Sequence, residues 1–519
     1  MKASFKPLSL AIAVSAATAG YVGTVNAQTA LTGNSGLGDL AIVPYYTVQE
    51  DWTTGVSVIN TSASTQVIKV RFRRANDSMD ALDFNLVLSP NDVWTGYIED
   101  VRASADVEPI VRLVTSDKSC TVPASIGEDG GVDMPQGTGS FADGAAEGYI
   151  EFIGMGATIN ETQQIAVDAL HEDGVPNDCK AVESNFERYG AVNVIAGVAT
   201  AADLTAIGVL NSVQSSQGSV AGPFSLNEYQ TPGNFMKVSY FIKDSTSGIE
   251  FGDNAVMVSN FMDGASMTNS VAAPTNPDGT PQEDLQGYDY PDLRGGAPLS
   301  VIAGVAGAAS DDQFNVLRTI LNSESVINDW SRNKSTGDTF SVNTDWVITA
   351  PGQYAMLELP TYIASLPTGA ACGATCDYRD LPLTIVPRVF DREEGSEIIP
   401  PGDIVVSPTP ANPTPPGTLP NEVNVIQWGT EKVLDSAKVV TLNATFDAEA
   451  GWAQIGLIGR AGPQVCQYTA LIGDVGDLTC APARGGVPIV GMAAWAREFG
   501  ANPDANYGRM IRHSYIISS

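Results

Sequence analysis

The sequence predicts a mainly β protein, built from antiparallel β-sandwich modules with a few short helices and long Gly/Pro-rich loops. Short stretches of alternating polar and apolar residues recur along the chain, and turn residues separate them. Gly occurs 51 times and Pro 31 times while only 17% of residues are charged, which is typical of many turns and short strands. With 519 residues and 43% hydrophobic content, the chain can form more than one core.

Residues 1–27 have the pattern of a cleavable secretory signal. Lys2 and Lys6 precede an apolar run over residues 8–22, and small side chains then lead to a cleavage position before Gln28. The run is too short, and too rich in small residues, for a membrane anchor. No later segment offers ~20 uninterrupted apolar residues, so no transmembrane segment is expected. The predicted location is secreted, periplasmic or at the cell surface.

Residues 28–115 are predicted to form an N-terminal β-sandwich module. Residues 66–73 alternate, so that Lys69 and Arg71 point away from Ile68 and Val70, which predicts a half-buried strand. Ser89-Pro90-Asn91-Asp92 has the composition of a turn. The five strands are expected over residues 41–46, 54–60, 66–73, 82–88 and 93–98.

A second β-rich region with long loops is expected over residues 116–297, and a helical connecting segment over 298–345. The second region combines predicted strands, a short helix near 162–171 and a polar loop over 273–297. In the connecting segment, Ser310 followed by acids is typical of a helix start, and apolar residues then recur at helical spacing. These apolar residues are Phe314, Leu317, Ile320 and Leu321.

A C-terminal β-rich region is expected over residues 346–519, and it contains a Pro-rich loop over 399–421. Eight prolines in that loop predict an extended, exposed segment without regular structure. The loop is interpreted as a semi-rigid surface loop, with a ligand for a proline-recognition domain as the alternative.

The charge of the chain disfavours some partners. The net charge is −32, and residues 1–27 carry two lysines and no acids, so the mature chain has −34. Nucleic acid and anionic membranes would be repelled. Other envelope proteins or surface glycans are the partners that remain, and the sequence does not indicate an oligomeric state.

Six cysteines in an exported chain favour disulfides. Pairing of neighbours along the chain is the simplest arrangement, although six cysteines allow fifteen connectivities. A metal site is disfavoured because the Cys pair at 372 and 376 has no His nearby. The three neighbour pairs are Cys120–Cys179, Cys372–Cys376 and Cys466–Cys480.

Several segments of the chain are similar to a known group of proteins. The segments are 37–47, 57–61, 70–73, 82–95, 343–349 and 390–394. Together they resemble a family of uncharacterised secreted or surface proteins of Gram-negative bacteria. The resemblance implies export and a β-rich fold, but no activity, cofactor or catalytic residues. The family continues with Phe-Pro-Thr-Lys after the segment around Trp346, where this chain has Ala350-Pro351-Gly352-Gln353.

No catalytic motif is apparent. The two histidines, His171 and His513, lie in polar surroundings and are expected to be exposed, and a Ser-His-Asp triad would have to use one of them. The sequence has no Gly-x-Ser-x-Gly elbow, no His-Glu-x-x-His zinc motif and no phosphate-binding Gly-rich loop. A His-dependent hydrolase is therefore disfavoured.

Two kinds of ligand remain compatible with the acidic loops. Carboxylates interleaved with tyrosines could contact a sugar or a cation, although a solvated acidic loop is the simpler interpretation. These residues are Asp278, Glu283, Asp284, Tyr288, Asp289, Tyr290 and Asp292. Calcium is the ion that suits such oxygens, with candidate ligands Asp278, Glu283, Asp474 and Asp477, although turns use the same residue types.

The sequence thus favours an exported cell-envelope or extracellular protein with a structural, adhesive or assembly role and no cofactor. The first alternative is a secreted carbohydrate-binding or carbohydrate-active protein that uses carboxylates and aromatic residues. The second alternative is a calcium-stabilised surface module.

Overall fold

The described part of the chain is mainly β with three short helices, as the sequence predicts. The structure is a computed structural model. It describes residues 36–76, 78, 80–103, 109–127, 130–134, 145–184, 229–262, 264–265, 291–293, 295, 312–332, 340–352, 383–392, 417–442, 448–460, 465–468, 478–481 and 488–516. The predicted signal peptide lies outside these residues. None of the described helices has the length and apolarity needed to cross a membrane.

The N-terminal half contains fifteen of the described strands and two of the helices. The strands are β1 (Leu40–Thr47), β2 (Trp52–Asn60), β3 (Gln66–Arg74), β4 (Asp80–Leu88), β5 (Val93–Asp100), β6 (Val111–Val114), β7 (Cys120–Val122), β8 (Val132–Asp133), β9 (Glu147–Thr158), β10 (His171–Glu172), β11 (Val175–Pro176), β12 (Tyr229–Gln230), β13 (Met236–Asp244), β14 (Glu250–Asn254) and β15 (Val256–Val258). The helices are α1 (Gln164–Ala169) and α2 (Cys179–Ser184).

Most of these strands form two antiparallel sheets that pack face to face. The first sheet has the order β14-β13-β2-β5-β6-β8, and the second has the order β15-β1-β9-β3-β4-β7, with β12 beside β9. The inner faces share one hydrophobic core, in which the rings of Phe84 and Trp94 lie 5.9 Å apart. Strands from residues 28–115 and from 116–297 occur in both sheets, so both segments contribute to this sandwich.

The C-terminal half contains one described helix and twelve described strands. The helix is α3 (Asp312–Ile320). The strands are β16 (Ser325–Ser331), β17 (Ser341–Thr349), β18 (Leu383–Asp391), β19 (Gly417–Leu419), β20 (Val423–Gln427), β21 (Val439–Val440), β22 (Ala450–Arg460), β23 (Val465–Tyr468), β24 (Leu478–Ala481), β25 (Val490–Glu498), β26 (Tyr507–Arg512) and β27 (Ser514–Ile516).

These strands form a third sheet, β21-β20-β17-β25-β26, and a fourth sheet, β19-β18-β22-β16-β27. The central strands of the third sheet, β20, β17 and β25, are buried on both faces over most of their length, whereas the edge strand β26 is partly exposed. Val347 of β17 belongs to the core of the N-terminal sandwich, whereas its neighbours Trp346 and Ile348 belong to a second core against the fourth sheet. The third sheet therefore joins the two halves as a shared middle layer, which explains the nearly continuous burial of β17 and β20.

The predicted elements of the N-terminal half are confirmed with small changes of bounds. The five strands expected over 41–98 correspond to β1–β5, and the helix expected near 162–171 is α1. The turn after β4 contains Asn91 with φ of 60°, a conformation that Asn tolerates. The expected disulfide Cys120–Cys179 is present and connects β7 to α2.

The predicted elements after residue 297 correspond to the structure in part. Phe314 and Leu317 of α3 and Leu321 just after it are buried, and Ile320 packs partly buried against the same core, as their helical spacing predicts. The segment 298–345 also contains β16 and the start of β17. The end of the Pro-rich segment is not exposed irregular chain, because residues 417–419 form β19 and Leu419 is completely buried. The rest of that segment, 399–416, lies outside the described residues.

The prediction of a half-buried strand at residues 66–73 is wrong. Every residue of β3 is buried, including Lys69, Arg71 and Arg73. These three side chains lie on the face of the second sheet that points away from the sandwich core. Segments from later in the chain cover this face; for example, the Arg71 guanidinium donates to the carbonyl of Pro291.

Carboxylates on neighbouring strands neutralise the buried cations. Lys69 Nζ lies 2.9 Å from Asp83 Oδ2, and Arg71 forms two hydrogen bonds with Asp80. Arg73 bridges Asp80 and Glu151, at 2.7 and 3.3 Å. We call these six residues, Lys69, Arg71, Arg73, Asp80, Asp83 and Glu151, the buried ionic layer. Such pairs compensate the cost of desolvating each charge, and that cost reappears if one partner is removed.

We expect Lys69→Met to destabilise the protein strongly, because it leaves the Asp83 carboxylate buried without its cation. The loss should be about 3–5 kcal/mol in the free energy of unfolding, measured by urea denaturation. The double variant Lys69→Met/Asp83→Leu removes both charges and should recover most of that loss. A double variant as unstable as Lys69→Met would contradict this account.

Candidate functional site

The outer face of the fourth sheet is the candidate functional site. Strands β16, β18 and β22 lie side by side, and the residues on this face alternate with core residues because side chains in a strand point to opposite faces. We use the term outer face for Val386, Arg388 and Phe390 of β18, Trp452, Gln454 and Gly456 of β22, Ser325, Ile327 and Asp329 of β16, Ser514 and Ile516 of β27, and the adjoining Glu324.

The register places an aromatic pair at one end of this face. Trp452 stands directly opposite Phe390 on the neighbouring strand, and their rings stack at 4.3 Å with an interplanar angle of 13°. Trp452 is 39% exposed, although large aromatic side chains are usually buried. Asp329 flanks Trp452 on the other side. The pair therefore leaves a stacked indole partly exposed to solvent.

The next row along the strands is polar. Arg388 stands opposite Gln454, and the Gln454 amide donates to Ser325 Oγ at 2.9 Å. Arg388 is exposed, and within the described residues its guanidinium has no hydrogen bond or ion pair. The carboxylate of Glu324 is likewise without a partner in the described part of the chain. Two opposite charges thus face solvent near each other without neutralising each other.

A small pit lies in the third row, which contains Gly456. Gly456 stands between Ser325 and Val386, and Ile516 stands opposite Ser325. Since Gly456 has no side chain, the row has a gap at its centre. The resulting cavity has a volume of about 160 Å³, with Val386 and Ile516 as apolar walls. Glu324, Arg388 and Gln454 line its polar side.

An aromatic core holds this sheet in place from below. Trp428 stacks on Trp330 at 5.4 Å and contacts Trp346 at 4.9 Å, which joins the fourth sheet to the third. His513 packs against Trp346 and is completely buried, so the prediction that it is exposed is wrong. His513 is buried because the residues that follow it form β27, which pairs with β16.

The hydrogen bonds of His513 define a neutral ring. Nε2 lies 2.9 Å from the carbonyl of Val347, which can only accept, so Nε2 carries the proton. Nδ1 accepts from the Asn328 amide at 2.9 Å. Burial lowers the pKa of His513 to about 4, because the charged ring would lose its hydration.

Asp345 lies on the opposite face of the third sheet. Its Oδ2 accepts hydrogen bonds from the backbone N–H groups of Val433 and Leu434, at 2.8 and 3.1 Å. No group in the described part of the chain donates to its Oδ1. Burial raises the pKa of Asp345 to about 7 despite the two backbone donors, because desolvation disfavours the charged form more than they favour it.

The other histidine, His171, does not form a catalytic triad. His171 Nδ1 lies 3.4 Å from Ser89 Oγ and 3.5 Å from Asp92 Oδ2. In a triad the serine and the acid contact different ring nitrogens, so that one nitrogen accepts the proton while the other is held. Here Ser89 and Asp92 both contact Nδ1, so the three side chains form a hydrogen-bonded contact and not a triad.

The site residues predicted from the acidic loop differ from this face. Asp292 is 1% exposed, so the prediction that it belongs to a solvent-facing sugar or cation surface is wrong. Its segment lies beside the buried ionic layer, where the neighbouring Pro291 accepts from Arg71. The described residues contain no group of three His, Cys, Asp or Glu arranged to hold a metal. The other predicted loop residues, Asp278, Glu283, Asp284, Tyr288, Asp289, Tyr290, Asp474 and Asp477, lie outside the described residues.

The remaining cysteines are described only in part. Cys466 and Cys480 occupy directly opposite positions of the antiparallel pair β23–β24, a register that agrees with the predicted pairing. Their disulfide stays a prediction, and Cys372 and Cys376 lie outside the described residues. Comparisons of the chain with protein-family models, with curated proteins and with solved structures find no match.

We expect Asp345 and His513 to affect stability with opposite pH dependence. Folded Asp345 keeps a proton between pH 4 and 7 that the unfolded chain loses near 3.8, so its contribution falls as pH rises. Folded His513 stays neutral between pH 4 and 6.5, where the unfolded ring is protonated, so its contribution rises with pH. Between its unfolded and folded pKa values, each group changes the free energy of unfolding by about 1.4 kcal/mol per pH unit.

Two variants separate these effects, with urea denaturation measured from pH 4 to 7. Relative to the parent, Asp345→Asn should give a free energy of unfolding that rises more steeply with pH. His513→Gln should give one that rises less steeply between pH 4 and 6.5. Parallel curves for a variant and the parent would show that the group does not titrate as assigned.

Proposed function

We propose that the chain is an exported cell-envelope or extracellular protein with a structural, adhesive or assembly role, and that it adheres through the outer face of the fourth sheet. The observation that carries this proposal is the partly exposed Trp452–Phe390 stack beside Arg388, whose guanidinium has no ion pair within the described residues. The indole and the guanidinium are therefore available to a partner on the same face. Such residues are the ones that dominate binding at interfaces.

Three features support a location outside the cytoplasm. The Cys120–Cys179 disulfide, which closes a sequence separation of 59 residues, is stable in oxidising compartments. Residues 1–27 have the pattern of a secretory signal, and the mature charge of −34 favours solubility and keeps copies of the chain apart. The resemblance to secreted proteins of Gram-negative bacteria agrees with these features.

The construction of the rest of the molecule supports a structural role for it. The cations of the buried ionic layer are all paired with carboxylates, and the central strands of the third sheet are covered on both faces. These polar groups are used to hold the described layers together, so they are not free for a ligand. The outer face differs because its charged and aromatic groups are left to solvent.

The first alternative, a carbohydrate-binding protein, uses this same face and is developed in the next subsection. The second alternative, a calcium-stabilised module, rests on Asp278, Glu283, Asp474 and Asp477, which lie outside the described residues. It is tested by thermal unfolding with calcium and with chelator.

Fractionation of a Gram-negative host that expresses the full chain tests the proposed location. We expect the protein in the periplasm, at the surface or in the medium, because the signal directs it to the export machinery. N-terminal sequencing should begin at Gln28, and Cys120 and Cys179 should resist alkylation unless they are first reduced.

A chain that starts at residue 28 is the matched control. It should stay in the cytoplasm, with Cys120 and Cys179 open to alkylation. Recovery of the full chain only from the cytoplasm, with residues 1–27 retained, would refute the proposed location.

A further inference from the structure

We propose that the outer face of the fourth sheet is a binding site for neutral pyranose glycans, with one sugar ring on Trp452 and a later unit of the same glycan in the pit at Gly456. This inference rests on the proposed adhesive function and names its ligand class. It is argued from three features of the face: a flat aromatic ring, planar polar groups and a pit of limited size.

The aromatic ring supplies the stacking surface. One side of Trp452 is occupied by Phe390, at 4.3 Å and an interplanar angle of 13°, so the indole is held in one orientation. A pyranose ring has a face of C–H groups that carries partial positive charge, and the face of an aromatic ring carries partial negative charge. A prealigned, exposed indole therefore binds such a face without first losing conformational freedom.

The polar row supplies hydrogen bonds of the right kind. Neighbouring hydroxyl groups of a sugar both donate and accept hydrogen bonds. A planar side chain with two adjacent polar atoms can bond to two such hydroxyl groups at once. Arg388 donates through such a fork, Glu324 accepts, and Gln454 can do both. Since Arg388 and Glu324 have no partners within the described part of the chain, a sugar would displace no existing ion pair.

The geometry places the two subsites two same-face positions apart on β22, at a distance of roughly 13 Å. Trp452, Gln454 and Gly456 follow one another on the same face of β22, so each lies roughly 7 Å from the next. The aromatic surface and the pit are therefore separated by the polar row, which can contact the sugars on either side. The pit volume of about 160 Å³ is enough for a single ring and too small for a large aromatic ligand.

The charge of the molecule selects a neutral glycan. With −34 on the mature chain, an acidic polysaccharide would be repelled at long range, and the single Arg388 would offset little of that repulsion. The apolar walls of the pit, Val386 and Ile516, also favour the uncharged parts of a sugar over a carboxylate.

Isothermal titration calorimetry of the purified mature chain tests the inference. The probes are hexasaccharides of β-1,4-linked glucose, β-1,4-linked N-acetylglucosamine, α-1,4-linked glucose and galacturonic acid. We expect binding of at least one neutral oligosaccharide and none of the galacturonate. Trp452→Ala should weaken the binding at least tenfold, and Arg388→Ala should weaken it severalfold.

Tyr507→Ala and Arg509→Ala are the matched controls. Both residues are exposed, and both lie on β26 of the third sheet, away from the outer face. They should bind the glycan as the parent does. The Trp452→Ala and Arg388→Ala variants should both stay folded, with the parent's far-ultraviolet circular dichroism. Arg388→Ala should keep the parent's melting temperature, whereas Trp452→Ala should melt slightly lower because the stack on Phe390 is lost. A Trp452→Ala chain that is folded and binds as tightly as the parent would overturn the inference.

A second assay separates this inference from the proposed adhesive function. The fluorescently labelled chain is incubated with intact bacterial cells, and its retention is compared for the parent, Trp452→Ala and Tyr507→Ala. Retention that is lost in Trp452→Ala, without binding to any neutral oligosaccharide, would refute the glycan ligand and leave adhesion standing. Preference for galacturonate would also refute the neutral-glycan assignment. Absence of both retention and oligosaccharide binding would refute both.

Discussion

The Glu147 carboxylate, at the start of β9, connects the two halves of the molecule. It accepts hydrogen bonds from Tyr45 and Gln49 of the N-terminal half and from Ser436 and the Ala437 N–H of the C-terminal half. Four donors compensate the loss of hydration for a carboxylate that is 2% exposed. Ser436 and Ala437 belong to the loop 433–437, and the Asp345 carboxylate of the third sheet also binds this loop by accepting from the Val433 N–H. The packing of the third sheet on the sandwich depends on these contacts.

The position of the third sheet follows from that connection. Because its central strands are buried on both faces, any displacement would open two cores at once, and cores tolerate small changes of volume poorly. The fourth sheet is fixed to it through Trp330, Trp346 and Trp428. The outer face is thereby presented on a rigid base, so that a ligand would meet a surface already arranged for contact.

Most of the elements could be predicted from sequence because each depends on local patterns. Alternation at period 2 locates β1–β5, and apolar spacing locates α3, since backbone geometry places those side chains on one face. The same reasoning failed for β3, where charged residues alternate with apolar ones. Alternation shows that a strand has two different faces, but it does not show whether the polar face meets water or a layer of opposite charges.

The candidate site was missed for a related reason. Phe390, Arg388, Trp452 and Gly456 come from two strands more than 60 residues apart, and neither strand has a motif of its own. Only cross-strand register brings them together. The acidic loop is the more conspicuous candidate in the sequence because its aromatic and acidic residues are adjacent, yet Asp292, the candidate in this loop that the structure describes, is buried.

The sequence by itself determined that this chain is mainly β and that its net charge is strongly negative. Composition and periodicity carry that information. Neighbour pairing of the cysteines was one of fifteen possible connectivities, and the tertiary structure selected Cys120–Cys179 by bringing β7 and α2 together. The tertiary structure alone decided that the cations of β3 are buried, that His513 is inside and that Trp452 is outside. Exposure depends on which distant segment packs on a face, and that is set by the summed energy of contacts between segments far apart in sequence.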